Sequence, residues 1–165
     1  MMLMLLATSW QPLFQWFEAT TIGTIVRESL WLFPVIECVH LLALALLGGA
    51  VLVLDLRLLG FGLTAQPVAS LARRMEPWLI GALITSIGTG IPMFLSEAIK
   101  CYFSPPFFFK ISVLVIATIF TFTVRRRVAS AEPGRIAQGL VRLTAAVSIT
   151  LWFGVSFAGR WIAFY

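Results

Sequence analysis

The sequence predicts an all-α integral membrane protein: a four-transmembrane-helix bundle with an N-terminal interfacial amphipathic helix. Three observations carry that expectation. Of the 165 residues 60% are hydrophobic and only 12% are charged, at a mean hydropathy of +0.98. A soluble domain of this length cannot hide so much apolar surface, so lipid must be its solvent. The apolar residues fall into four runs near the ~20 residues that a bilayer demands, and most of the cations lie in the connections or at the ends of those runs. The reading is one membrane domain over 30–165, with spans at about 30–58, 77–96, 107–124 and 140–164, behind an interfacial segment over 1–29.

Residues 9–29, SWQPLFQWFEATTIGTIVRES, mix Trp10, Phe14, Trp16 and Phe17 with Glu18, Arg27 and Glu28. Aromatic-rich amphipathic segments lie in the interface rather than across it. The opening MMLMLLATSW has a short apolar run without a basic n-region, which argues against a cleaved signal peptide.

The first span carries Pro34 in its first turn, where a missing N–H costs little. At 100° per residue, Glu37, Leu44, Gly48, Val51 and Asp55 fall in one narrow arc, with His40 at its margin. That arc is expected to face the bundle, because lipid penalises it. Gly60 and Gly62 mark the exit. Residues 63–76 read as a short surface helix.

The second span, from Pro77 to Ser96, is rich in Gly81, Thr85, Ser86, Gly88, Thr89 and Gly90, a composition that lets helices approach closely. Pro92 frees a carbonyl one turn back for Thr89 or a neighbour to satisfy. After a loop with Glu97, Lys100 and Cys101, Pro105–Pro106 open the third span, closed by Arg125, Arg126 and Arg127. Lys110, one turn inside it, either snorkels to the interface or points inward to a carboxylate or an anionic cofactor group. In the fourth span Thr144, Ser148, Trp152, Ser156 and Arg160 recur every fourth residue and are expected to look into the bundle.

Eight cations (Arg57, Arg73, Arg74, Arg125, Arg126, Arg127, Arg135, Arg142) lie on one side against Arg27, Lys100, Lys110 and Arg160 on the other. The positive-inside rule places the first and third connections in the cytoplasm and both termini in the periplasm of a bacterial inner membrane. It also accounts for the net charge of +5 without nucleic acid as a partner. Cys38 and Cys101 show no CxxC or zinc spacing and read as structural, Cys38 as a small packing residue.

His40 is the only histidine, and it sits about ten residues, or ~15 Å, below the outer end of the first span. A neutral imidazole there can ligate haem iron, bind a metal, relay a proton or be a hydrogen-bonded packing residue. Glu37, Lys110 and Arg160 belong to the same outer half, and two cations suit the propionates of a haem. Glu37 is free to pair with Lys110, accept from the histidine or sit protonated. Glu37-x-x-His40 resembles the pairs of di-metal bundles, but no second histidine completes such a site. Asp55-x-Arg57 reads as interfacial pairing with Arg73, Arg74 or Glu76 that pins the first connection. No triad, phosphate loop or zinc motif supports hydrolytic chemistry.

The run VIECVHLLALALLGGAVLVLDLRLLG, followed by FFFKISVLVIATIFTFTVRRRV, resembles the superfamily that includes CopD-type copper-resistance membrane proteins and HemJ-type protoporphyrinogen oxidases, over roughly Trp31 to Val128. The whole chain is also similar to an uncharacterised family of small four-span bacterial membrane proteins. The resemblance implies that His40 matches the haem-b ligand of the HemJ type, Lys110 its lysine opening a later helix, and Arg57 the arginine closing the first. With one histidine, a bis-His haem within one subunit is excluded and the oxidase activity does not carry over. Any haem iron is then five-coordinate, or takes Met93 or another weak ligand, or is shared across a homodimer.

Three functions follow as expectations. The first is a haem-b protein with a redox or electron-transfer role, His40 ligating the iron and Lys110, Arg160 and Glu37 lining the site. The second is a non-enzymatic subunit of a larger respiratory or photosynthetic assembly, or a homo-oligomer. The third is a small proton or metal transporter using Glu37 and His40.

Overall fold

The computed structural model describes residues 2–62, 65–132 and 134–164, with side chains from Trp10 onward. Residues 63 and 64 of the expected surface helix lie outside the described residues. Helix α1 spans Met2–Glu18 and α2 spans Thr21–Glu28. Thr20 breaks them apart. It is extended, its Oγ1 accepts from Gly23 N at 3.3 Å and donates to Phe17 O at 2.7 Å, and so it caps α2. The interfacial segment is therefore two helices. Phe14 seats α1 on the bundle through Phe94, Tyr102 and Phe108, with ring centroids 5.8, 4.9 and 6.4 Å away.

The first span is α3, Leu32–Leu59. Gly60 ends it at φ +94°, where a side chain is strained, with its N–H on Arg57 O and Phe61 N on Leu56 O at 2.8 Å. Helix α4 runs unbroken from Val68 to Ser96. The separate surface helix expected up to Glu76 is thus the first turns of the second span. Pro77 frees the carbonyl of Arg73, which lies near the basic end of the bundle, where headgroup water can satisfy it.

A short α5, Ala98–Tyr102, precedes α6, Pro105–Phe120, which continues through a π turn, Thr121–Arg125, into α7, Arg126–Ala129. The third span is one 25-residue helical segment, longer at both ends than expected. Helix α8, Gln138–Trp161, is the fourth, ending in a 3-10 turn at Ile162–Phe164. No strand occurs among the described residues. Four helices are long and apolar enough to cross a membrane, and their outward faces are apolar.

Helix α3 packs on α4 and α8, and α6 packs on α8. The α3–α4 seam is regular. Phe33, Ile36, His40, Ala43, Leu47, Ala50 and Leu54 alternate steps of three and four and are all buried or half-buried. On α4 the same holds for Met75, Leu79, Ala82, Ser86, Thr89, Met93 and Ser96. Such spacing keeps one line of side chains against a neighbouring helix. Within lipid the attraction is close contact and interhelical hydrogen bonding rather than hydrophobic exclusion. His40 therefore stands in the seam itself, while Glu37 lies one position beyond it and is exposed.

The small residues of α4 do not all serve packing within the chain. A Cβ on Gly81 or Gly88 would meet nothing within 4 Å, nor would one on Gly48 of α3, whereas one on Gly90 would lie 3.4 Å from His40 Cε1. Cys38 is exposed on α3 and is not a packing residue.

The every-fourth stripe of α8 is buried at Thr144, Ser148 and Trp152 but exposed at Ser156 and Arg160. Four residues overshoot an α-helical turn by about 40°, so such a stripe walks off its face. On the third span Ala117, Thr121, Arg125 and Ala129 are also four apart, yet all are buried. There the π turn widens the helix and holds the stripe in place.

Candidate functional site

At the end of the bundle where α3 begins and α4 stops, these two helices bring His40 to Thr89, with Nδ1 2.9 Å from Thr89 Oγ1. A hydroxyl has one proton, and that of Thr89 is directed at its own helix, at Thr85 O (2.7 Å) or Ser86 O (3.2 Å). Its lone pair is left to accept from the imidazole. His40 therefore carries its proton on Nδ1, and Nε2 presents an unprotonated lone pair, the form that ligates a metal or takes a proton. The sequence offers Thr89 or a neighbour as partner to the carbonyl freed by Pro92. It serves the histidine instead.

Lys110 enters the same region from α6. It is half-buried, and a Cβ on Gly159, two residues before the end of α8, would lie 3.4 Å from its Nζ. Its charge is within electrostatic reach of His40 and of Cys101. Among the described residues no carboxylate forms an ion pair with it. Two glycines thus make the cradle, Gly90 against the imidazole and Gly159 against the ammonium.

The other two expected members stand outside. Glu37 is exposed and forms no ion pair among the described residues. Arg160 is exposed, with its guanidinium carbon 5.6 Å from the Phe164 ring centroid. Of the four, the fold brings together His40 and Lys110.

Cys101 on α5 is buried and free, and burial, seconded by the charge of Glu97, pushes its thiol up to about 11. It stays protonated and unreactive at neutral pH. Helix α2 packs on the last turn of α4. Glu18 Oε2 accepts from Ile99 N at 2.7 Å, capping α5, while its Oε1 lies 3.1 Å from Arg27. A Cβ on Gly23 would come within 2.5 Å of Leu95 O, so only glycine lets α2 lie this close to α4.

A second polar centre lies at the other end, and here the expectation is corrected. Asp55 does not pair at the interface with Arg73, Arg74 or Glu76. It is fully buried, and Arg125 reaches it across the bundle with Nε 2.5 Å from Oδ1, while Nη2 donates to Val51 O at 3.0 Å. The Ser148 hydroxyl faces the same carboxylate. Close by, Trp152 Nε1 donates to Thr121 Oγ1 at 3.0 Å. Sequence reasoning missed this centre because Arg125 opens a run of three arginines that reads as a span terminator. Arg57 does pin the first connection, donating to Gln66 O at 3.1 and 3.0 Å.

A groove of about 650 Å³ between α3 and α4 is lined by apolar side chains including Val39, Leu42, Leu46 and Trp78. His40 is not among its walls. Among the described residues no group of three or more His, Cys, Asp or Glu side chains could hold a metal ion. No curated protein, CopD-type and HemJ-type proteins included, and no solved structure matches the chain. Residues 13–165 match the profile of DUF6644, a family of unknown function, and the chain belongs to that family.

Proposed function

We propose that the protein binds a b-type haem through His40 and serves in electron transfer or as an oxidoreductase. The observation that supports this reading best is the committed tautomer of His40. With Nδ1–H donating to Thr89 Oγ1, Nε2 would be free to hold a haem iron, and the partner on the other ring nitrogen would orient it as metal-bound histidines require. Lys110 is a cation without a carboxylate partner among the described residues, suited to a haem propionate. The glycine cradle leaves both side chains without a crowding Cβ. Met93 lies one turn from Thr89 on the same seam and is the candidate for a weak second ligand. Bound haem would supply a one-electron couple. The chain's own part would be to orient the imidazole through Thr89 and to keep a positive charge within electrostatic reach of it. The resemblance to the HemJ type points the same way for His40 and Lys110. Glu37 and Arg160, both exposed, have no place in this reading. The positive-inside rule sets the basic end in the cytoplasm of a bacterial inner membrane, with the His40 site in the periplasmic half.

The test is the reduced-minus-oxidised absorption spectrum of protein purified in detergent after haem-supplemented expression, wild type beside His40→Ala and Lys110→Met. The reading predicts Soret and alpha bands in the wild type, their loss in His40→Ala, and weakened haem retention in Lys110→Met. A folded but colourless wild type would overturn it and leave the His40–Thr89–Lys110 cluster to an assembly subunit or to a proton or metal path.

A further inference from the structure

The net charge of this protein is confined to one end. Around the ends of the spans where α3 stops and α4 begins lie eight cations and three carboxylates, Asp55, Glu76 and Glu132, which leaves all five net positive charges there. The His40 end holds four cations and four carboxylates, Glu18, Glu28, Glu37 and Glu97, and is neutral. At the basic end a cleft of about 50 Å³ opens between α4 and the end of the third span, lined among others by Arg73, Glu76, Thr121, Arg125, Arg126 and Ser130. Three guanidinium groups meet one carboxylate there. Glu76 is already shared with Arg126 at 2.9 Å, and Arg125 with the buried Asp55. Arg73 is exposed and forms no ion pair among the described residues.

We propose that this cleft binds the phosphate of an anionic phospholipid headgroup. Its volume is of the order of a single phosphate group, and its open side leaves room for the rest of a headgroup. Basic pockets between spanning helices at the positive end of a membrane protein recognise anionic headgroups, because each cation at headgroup level adds attraction to a negatively charged leaflet. Arg73 and Arg126 reach the phosphate from α4 and α7, and the Asp55–Arg125 pair holds Arg125 at the cleft wall. Apolar side chains exposed within about a turn of the lining residues, Ile80 on α4 and Val124 on the third span, lie where the acyl chains descend. A free phosphate offers the same oxygens without those chains, which separates the two sources experimentally.

The experiment measures thermal unfolding and native mass spectra of the detergent-purified protein with added phosphatidylglycerol, phosphatidylcholine or inorganic phosphate. Phosphatidylglycerol is expected to raise the unfolding midpoint and persist as a one-to-one adduct, with no comparable effect from the other two. The Arg73→Gln/Arg126→Gln double variant should bind the lipid at least about tenfold more weakly than the wild type, because it loses direct charge-assisted hydrogen bonds to the phosphate besides two charges. The Arg74→Gln/Arg127→Gln variant removes the same charge outside the cleft and should keep most of the binding. Equal loss in both variants would reduce the effect to diffuse electrostatics and overturn the site. An equal response to phosphatidylcholine would overturn the headgroup selectivity, and an equal response to inorganic phosphate would overturn the lipid assignment.

Discussion

Asp55 and Arg125 meet at one end of the bundle with 0% and 4% of their side chains exposed. His40 and Lys110 meet at the other half-buried, joined by electrostatic reach rather than by an ion pair. Both centres place charge-bearing groups inside helices that cross a membrane, yet they are built to opposite ends. At the first, charge faces opposite charge and the guanidinium is spread over a carboxylate and a backbone carbonyl, an arrangement that ties the third span to the first. The second keeps a nitrogen lone pair and a positive charge uncommitted, and surrounds them with glycine. Closed pairing stabilises a fold, and unspent valence is what a ligand or a proton can use.

The largest expected effect lies at the closed centre. Asp55→Ala leaves a guanidinium buried without its partner and should cost about 3–5 kcal/mol, read from unfolding by a denaturing detergent. An Asp55→Leu/Arg125→Leu double variant should recover much of that loss, because the penalty comes from the orphaned charge. If Asp55→Ala were as stable as wild type, the comparison between the two centres would fail. Next comes Thr121→Val, which strips the acceptor from the buried Trp152 N–H and should cost about 1–3 kcal/mol in the same assay.

His40→Ala sharpens the comparison from the other side. Losing one interhelical hydrogen bond in a membrane should cost only roughly 1 kcal/mol, while on the proposed haem reading the same substitution should abolish the Soret and alpha bands. The smallest effect is at Cys101. Its thiol pKa is raised from 9.0 to about 11 in the folded protein. Between those values the unfolded chain has released a proton that the folded one retains, so stability falls as pH rises from about 9 to 11. The contribution is intact below pH 9. Cys101→Ala should lack that part of the decline, measured as the difference between the two unfolding curves against pH.

The four spans were legible because length and hydropathy decide them, and the inward placing of His40 was legible because an ionisable side chain at membrane depth is costly against lipid. Lys110 pointing inward was one of two stated alternatives. The failures share a geometric cause. Periodicity was projected at 100° per residue along an ideal helix, which placed Glu37 in the inward arc and His40 at its margin. The observed seam steps by three and four, and it centres on His40. The same projection carried Arg160 into the bundle, although an every-fourth stripe drifts outward along α8. The opposite error hid Arg125, because a π turn leaves no mark in composition and only the widened turn keeps Ala117, Thr121, Arg125 and Ala129 on one face. Thr89 as the histidine's partner needed the register between α3 and α4, which a single chain does not display.

Axial ligation by His40 is tested most directly by the absorption spectrum of His40→Gly with and without added imidazole. The account predicts that the variant loses the Soret and alpha bands and that free imidazole, filling the vacated space beside Gly90, restores them. An unchanged spectrum in His40→Gly would contradict His40 as the ligand, and a folded, colourless wild type would contradict the haem itself.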